Sequence, residues 1–257
     1  MPPVRQAFLN WSGGKDAAFS LHKLRQQPET MYIRSLLTTL SETHRRISMH
    51  GVRESLLDEQ ACCLGLPLKK IYLPEDTTMP VYDELMGRQV QQFAEEGITH
   101  AVFGDIFLED LRAYREKQLA QRGLKAVFPL WKNHSRELLL DFIDSGFRAV
   151  IVCVNAHYLD PAFAGRLIDR NFLDDLPGNV DPCGENGEYH SFVFDGPGFA
   201  RPVLFRQGGL AERHYRPKGQ SREDECFQRD QKNWDTHFYF RDLLPDFEED
   251  IKKEDGA

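Results

Sequence analysis

The sequence predicts an α/β protein: a parallel sheet with helices on both faces, followed by a smaller C-terminal α+β part. Three observations carry this expectation. Short apolar runs alternate with helical patterns over roughly the first 150 residues, the order expected of parallel strands joined by helices. Glycine closes most of the helical patterns. After Val154 the alternation stops and glycine and proline punctuate the chain.

The elements follow in order. Val4 to Trp11 reads as the first strand. Ala17, Leu21 and Leu24 then recur at helical spacing, and Pro28 lies beyond them. Met31 to Leu40 is apolar and β-branched enough for a second strand, and Ser41 to His50 is a polar, basic loop at its end. Gly51-Val52-Arg53-Glu54 leads into a helix with Leu57, Ala61 and Leu64 on one face. Gly65 stops it and Pro67 prevents a restart. Leu68 to Leu73 is the third strand. Tyr82, Leu85, Met86, Val90 and Phe93 mark the third helix, closed by Gly97. His100 to Phe103 is a short strand ending in Gly104-Asp105-Ile106. The helix near Glu109 to Arg122 is mostly charged, with Leu111 and Leu119 as its main apolar residues. Leu124 to Phe128 reads as a short strand before Pro129-Leu130-Trp131. Leu138, Leu139, Phe142 and Ile143 form a helical face, and Ala149 to Val154 is the cleanest buried strand. Phe163, Leu167 and Ile168 suggest one more helix. Strands are expected at Tyr189 to Phe194, Val203 to Arg206 and His237 to Phe240, with a mobile loop at Pro217 to Asn233 and an unfolded tail at Glu248 to Ala257.

Composition limits the function classes. The 257 residues are 41% hydrophobic and 28% charged, which fits a soluble globular chain. Net charge is −8, from 40 acidic and 32 basic residues, and this argues against broad binding to nucleic acid or acidic membrane. No apolar run has the length of a membrane span, and the N-terminus has no signal-peptide core. Five cysteines without paired spacing point to reduced thiols and a cytoplasmic setting. Cys62, Cys63 and Cys153 sit in apolar contexts that suit a core.

The stretch richest in chemistry is Trp11-Ser12-Gly13-Gly14-Lys15-Asp16-Ala17, between a strand and a helix. Its glycines let backbone amides turn towards a ligand, and the helix N-terminus behind them adds partial positive charge. Lys15 adds a point charge for the same anion. Asp16 suits a phosphate site when it holds a cation, so Mg²⁺ is implied. The plainer reading is a Gly-Gly turn before a helix. A second stretch, Asp181-Pro182-Cys183-Gly184-Glu185-Asn186-Gly187-Glu188-Tyr189-His190-Ser191, gathers acids, an amide and an imidazole within sharp turns. It can take a polar substrate, orient ammonia or hold a metal, or be a solvated hairpin loop. Gly104-Asp105 can hold Mg²⁺ or a ribose, or Asp105 can cap the next helix. Arg53 can contact phosphate or be a surface charge at a helix entry. Arg112, Arg115 and Lys117 can face an anionic leaving group or line a solvated face. Trp131 reads as packing. In parallel sheets ligands bind at the carboxyl ends of strands, and the first loop, Ser41 to Arg53, and Gly104-Asp105 all fall there.

The first loop resembles the PP-loop of ATP pyrophosphatases, Ser-Gly-Gly-x-Asp-Ser, with Ala17 in place of the final serine. With His50-Gly51-Val52-Arg53, Val102-Phe103-Gly104-Asp105-Ile106, Pro129-Leu130-Trp131 and Cys183 to Phe192, the chain resembles the diphthine–ammonia ligase family from about Val4 to Phe199. The resemblance implies a Rossmann-like (HUP) nucleotide-binding domain over residues 1–128, an acceptor-binding domain over 129–245 and a flexible tail over 246–257. Archaeal and eukaryotic relatives amidate diphthine on translation elongation factor 2. Ala17 and Phe107-Leu108-Glu109-Asp110 look like the bacterial branch, which lacks diphthamide, so the acceptor there is a different carboxylate.

The resemblance further implies an amide-forming ligase that adenylates a substrate carboxylate with ATP and Mg²⁺, releasing AMP and pyrophosphate. Ser12, Gly13, Gly14, Lys15, Ala17, Arg53, Gly104 and Asp105 would bind the nucleotide, and Asp16 and Asp105 the metal. Lys15, Asp16, Asp105, Glu185, Glu188 and His190 would carry the chemistry, the last three orienting a carboxylate-bearing acceptor and an ammonia or amine donor. Lys15 is expected to act locally, with little part in the fold. A homo-oligomer is compatible with the sequence. Two rival readings stand beside this one. A tRNA-modifying PP-loop enzyme, of thiolation or lysidine type, is disfavoured by the acidic balance and by the lack of paired Cys-x-x-Cys motifs. A nucleotide-binding sensor without turnover gains some weight from Ala17.

Overall fold

The structure is a computed structural model that describes residues 4–47, 50–214 and 237–246. Its elements run β1 (Arg5–Asn10), α1 (Lys15–Arg25), β2 (Met31–Ser41), α2 (Glu54–Leu64), β3 (Leu68–Leu73), α3 (Met79–Glu95), β4 (His100–Val102), α4 (Glu109–Ala120) and β5 (Lys125–Val127). Then come α5 (Ser135–Asp144), β6 (Arg148–Asn155), α6 (Arg170–Asp175), β7 (Tyr189–Asp195), β8 (Phe205–His214) and β9 (His237–Pro245). None of the helices among the described residues is long and apolar enough to cross a membrane.

The first five strands form a parallel sheet in the order β3-β2-β1-β4-β5. The order reverses between β1 and β4, so the loops that follow those two strands flank one crevice. Successive strand residues face opposite sides. Ala7 and Leu9 join one core with Leu36 and Leu40, while Phe8 and Leu37 join another with Val90, Phe93 and Leu119. The first of these cores continues into the second sheet through Val150, Ile151 and Phe192. Helix α1 therefore lies between the two sheets, with Ala17, Ala18, Phe19, Ser20 and Leu21 all buried. A helix buried nearly all round shows no single apolar stripe. Phe19 meets Phe142 and Phe147 edge-on at 5.9 and 6.0 Å.

The second sheet has the order β7-β6-β9-β8 and is antiparallel throughout. The alternation rule fails at β6. Its run of apolar residues resembles a parallel strand, yet it occupies an interior position in this second sheet, where both faces are covered. The helix expected around residues 163–168 is also absent. Pro161–Phe163 form one 3-10 turn, with Asp160 accepting a hydrogen bond from the Ala162 N–H at 2.8 Å. Gly165 then takes a φ of +103°, which ends the helical path, and Leu167 bridges to Val150. The helix starts only after Asp169, which caps it by accepting from the Phe172 N–H at 2.7 Å. Strand β8 runs on to His214 because a register shift between Gln207 and Leu210 absorbs Gly208-Gly209, a pair that reads as a turn. Cys62 is exposed, against expectation, while Cys63 and Cys153 are buried. The expected loop at Pro217 to Asn233 and the tail from Glu248 lie outside the described residues.

Candidate active site

The loop after β1 turns because Gly13 adopts a φ of +74°, and a Cβ there would come within 2.8 Å of Gln60 Oε1. Gln60 is fully buried and ties three parts of the protein together. Its Oε1 accepts from Trp11 Nε1 at 2.9 Å, and its Nε2 donates to the carbonyls of Gly13 and Val193 at 3.0 and 2.6 Å. Gly104, at the end of β4, has no room for a side chain either. A Cβ would stand 2.9 Å from the carbonyl carbon of Asp16. That contact brings Asp105 to the mouth of the first loop.

The second motif comes from β7 and the turns before it. The Lys15 N–H donates to Ser191 Oγ at 3.1 Å, across 176 positions of sequence, and the Val193 N–H donates to the Gly13 carbonyl at 2.9 Å. The Ser191 hydroxyl thus occupies one amide at the N-terminus of α1. The two motifs line one cavity of about 590 Å³, a volume ordinary for small-molecule sites. Ser12, Gly14, Lys15, Asp16, Ala17, Gly104, Asp105, Glu185 and His190 line it. Arg115 lines it too, so the charged helix α4 is more than a solvated face.

Lys15 is buried, with 4% of its surface exposed. Its Nζ donates to both Asp16 oxygens, at 2.8 and 3.0 Å, and to the Cys183 carbonyl, and it lies 5.3 Å from the centre of the Tyr189 ring. Burial alone would lower its pKa, but Asp16, Tyr189 and Cys183 together raise it, so the ammonium persists. Burial raises the Asp16 carboxyl, with Lys15 acting against it. Asp105 is likewise raised by burial. Arg115, 3.2 Å away, counters this in part, and nearby Asp16 adds to it. Glu185 is pushed up to about 7, first by burial and then by Asp16 and Asp105, although its Oε1 accepts from the Ile106 N–H at 2.7 Å.

Two further groups share the cavity. The rings of His50 and His190 stack at 4.2 Å. Burial and Lys15 hold His190 down at about 4, and burial, His190 and Lys15 hold His50 well below its ordinary value. Both imidazoles are therefore neutral at pH 7.

Three expected site residues do not line the cavity: Gly13, which turns the loop behind it, Arg53 and Glu188. Arg53 does not line the cavity. Its Nε and one terminal nitrogen donate to the two oxygens of Asp242 on β9, at 3.1 and 2.7 Å, so its charge is committed between the two sheets. Glu188 is 1% exposed, and loop amides occupy its carboxylate. The N–H groups of Asp181 and Asn186 donate to it at 3.0 and 2.9 Å, and Asn186 Nδ2 at 3.0 Å. It shapes the loop that presents Glu185 and His190 and does not itself line the cavity. Glu188→Gln replaces one acceptor oxygen by an NH₂ group facing an N–H donor. It should lower stability by about 1–3 kcal/mol in urea unfolding. Full stability combined with lost turnover would return Glu188 to the chemistry. Trp131 packs against Phe128 and the Arg112 guanidinium, at 5.6 and 4.7 Å.

Sequence reasoning assigned no role to Gln60, Ser191 or His50. The last two lie inside motifs that the resemblance singled out. Gln60 carries no signal beyond being polar on an otherwise apolar helix face.

The fit of Mg²⁺ can be tested on these groups. Asp105 Oδ2 is buried without a hydrogen-bond partner, and nearby Asp16 raises the Asp105 pKa. A divalent cation would relieve both conditions, so these residues fit it.

Comparison with known proteins gives a consistent picture. Residues 5–126 match the profile of the diphthamide synthase N-terminal domain, and residues 134–208 that of the diphthamide synthase C-terminal domain. The diphthine–ammonia ligase of Bos taurus is 30% identical over 164 residues, covering 58% of this chain and 61% of that protein. The human protein of the same name is also 30% identical over 164 residues. The Schizosaccharomyces pombe protein of that name is 26% identical over 222 residues, covering 78% of this chain but 36% of its own. The chain thus spans about three fifths of the bovine and human relatives and about a third of the yeast one. Among solved structures, a U34-tRNA thiolase from Methanococcus maripaludis aligns with a TM-score of 0.36 and 16% identity, over 55% of this chain and 56% of that one.

Proposed function

The chain belongs to the diphthamide synthase family, carrying both of its domains, and from this we propose that it is an ATP-dependent ligase. It would activate a carboxylate by adenylation, release AMP and pyrophosphate, and join the activated acyl group to ammonia or an amine. One observation carries the reading: the loop after β1 and the 181–191 loop, far apart in sequence, build one cavity and hydrogen-bond to each other at Lys15 and Ser191.

The residues divide by what they face. The first turn of α1 presents backbone N–H groups and a positive dipole end, which suits phosphate. Lys15 adds a fixed positive charge beside it. Asp16 and Asp105 would hold Mg²⁺, which supplies neutralisation of phosphate charge when bound. The other wall holds Glu185 and the neutral His50–His190 pair. Neutral ammonia or an amine attacks the acyl carbon through its lone pair, the acyl–oxygen bond to AMP breaks, and the new nitrogen centre sheds a proton, which a neutral imidazole can take. Glu185, half-protonated near pH 7, can accept or donate a hydrogen bond to the acceptor carboxylate. The acceptor is a carboxylate other than diphthine if the chain belongs to the bacterial branch, as Ala17 and Phe107 to Asp110 suggest.

The test is product analysis with ATP, Mg²⁺, ammonium and a panel of carboxylates. AMP and pyrophosphate should appear in equal amounts and only with an accepted carboxylate. ADP as the main product would refute adenylation.

A further inference from the structure

We propose that the β8–β9 hairpin carries a second, separate metal site, made by Glu212, His214 and His237, that takes a divalent ion of the zinc class. The three residues lie beyond residue 208, where the match to the C-terminal family domain ends. Their placement follows from antiparallel pairing. His214 stands directly opposite His237, and Glu212 lies two positions before His214, so the three share one face of the ribbon. All three ligand atoms lie within 4.8 Å of one another.

Their present contacts describe an unfinished coordination sphere. Glu212 Oε1 lies 2.9 Å from His214 Nε2 and 2.8 Å from His237 Nε2. The imidazoles stack at 4.2 Å with 20° between their planes. His237 Nε2 is buried, and Glu212 Oε1 is its ion-pair partner at 2.8 Å. In a tetrahedral zinc sphere with bonds of about 2.0–2.1 Å, donors stand about 3.3 Å apart. An opening of a few tenths of an ångström at each contact would therefore admit the ion, with water in the remaining position. Two imidazoles and one carboxylate favour zinc-class ions over Mg²⁺, which prefers oxygen ligands alone. This separates the site from the acidic group at Asp16 and Asp105. A bound ion would clamp β8 to β9 at the His214–His237 pair.

Chelator-stripped protein titrated with Zn²⁺ by calorimetry, and with Co²⁺ by visible absorption, tests the site. Wild type should bind one equivalent assigned to this hairpin and show the Co²⁺ d–d bands of a site with nitrogen ligands. His214→Ala and Glu212→Gln change exposed side chains, so the fold should survive. Each should weaken Zn²⁺ binding at least tenfold, and His214→Ala combined with His237→Ala should remove the Co²⁺ bands. Wild type without saturable Zn²⁺ binding, or a double variant that binds as wild type does, would overturn the proposal. Zn²⁺ should also raise the melting temperature of wild type and leave that of the double variant unchanged.

Discussion

Lys15→Met should both unfold the protein more easily and weaken nucleotide binding at least tenfold. The sequence suggests a loop lysine that acts only locally. The structure instead places it inside, against Asp16, the Cys183 carbonyl and the Tyr189 ring. Removing one partner of a buried pair leaves the other charge uncompensated, which costs about 3–5 kcal/mol. The Asp16 side chain keeps 30% of its surface open to the cavity, so water can reach it and the lower end of that range applies. Methionine retains much of the stem volume, which limits the cavity term. Urea unfolding should therefore show a loss of about 3 kcal/mol. ATP affinity, by calorimetry on the fraction still folded, should fall at least tenfold, or about 1.4 kcal/mol. Adding Asp16→Asn to Lys15→Met should recover part of the lost stability, because it removes the stranded charge. A Lys15→Met protein within about 0.5 kcal/mol of wild type would show that Lys15 serves only the ligand.

How much of this was legible beforehand depended on whether the signal was local. The strand–glycine–helix turn at Ser12 to Ala17 is written in adjacent residues, and β1 and α1 form where the pattern places them. The parallel sheet followed from alternation. Position in a sheet did not follow, as β6 shows, because a strand covered on both faces has the same composition in either sheet. Phe163, Leu167 and Ile168 kept helical spacing, but a single left-handed glycine at Gly165 overrode it. The site residues divide in the same way. Asp16, Asp105, Glu185 and His190 reach the cavity because they sit at strand ends or in the turns beside it. Arg53 and Glu188 belong to the same motifs but point to other partners. Which neighbour claims a charged side chain is decided by long-range packing, here by Asp242 on β9 and by the backbone amides of the 181–191 loop. Gln60 shows the reverse case, a residue without a motif that holds three segments together through its amide.

The stability difference between wild type and Glu185→Gln should change with pH in a defined direction. Glu185 has its pKa raised from 4.5 to about 7 in the folded protein, by burial first and then by Asp16 and Asp105. Between those pH values the folded state binds more protons at this site than the unfolded chain does. Stability must then fall as pH rises, since its slope follows protons bound unfolded minus protons bound folded. Below about 4.5 both states are protonated and the site adds no slope. Above about 7 both are ionised and the slope vanishes again. The full excursion corresponds to about 3 kcal/mol at 1.36 kcal/mol per pKa unit, an upper figure because the side chain is partly open to the cavity. Glutamine cannot ionise, yet its carbonyl can still accept from the Ile106 N–H, so the loop geometry is retained. Urea unfolding without Mg²⁺ at half-unit steps from pH 4.5 to 8 should therefore show wild type losing stability relative to Glu185→Gln by up to about 3 kcal/mol, nearly all of it below pH 7.5. A difference that stays flat across that window, or grows in favour of wild type as pH rises, would mean that Glu185 is ionised throughout and that the cavity wall facing the acceptor carries a permanent negative charge.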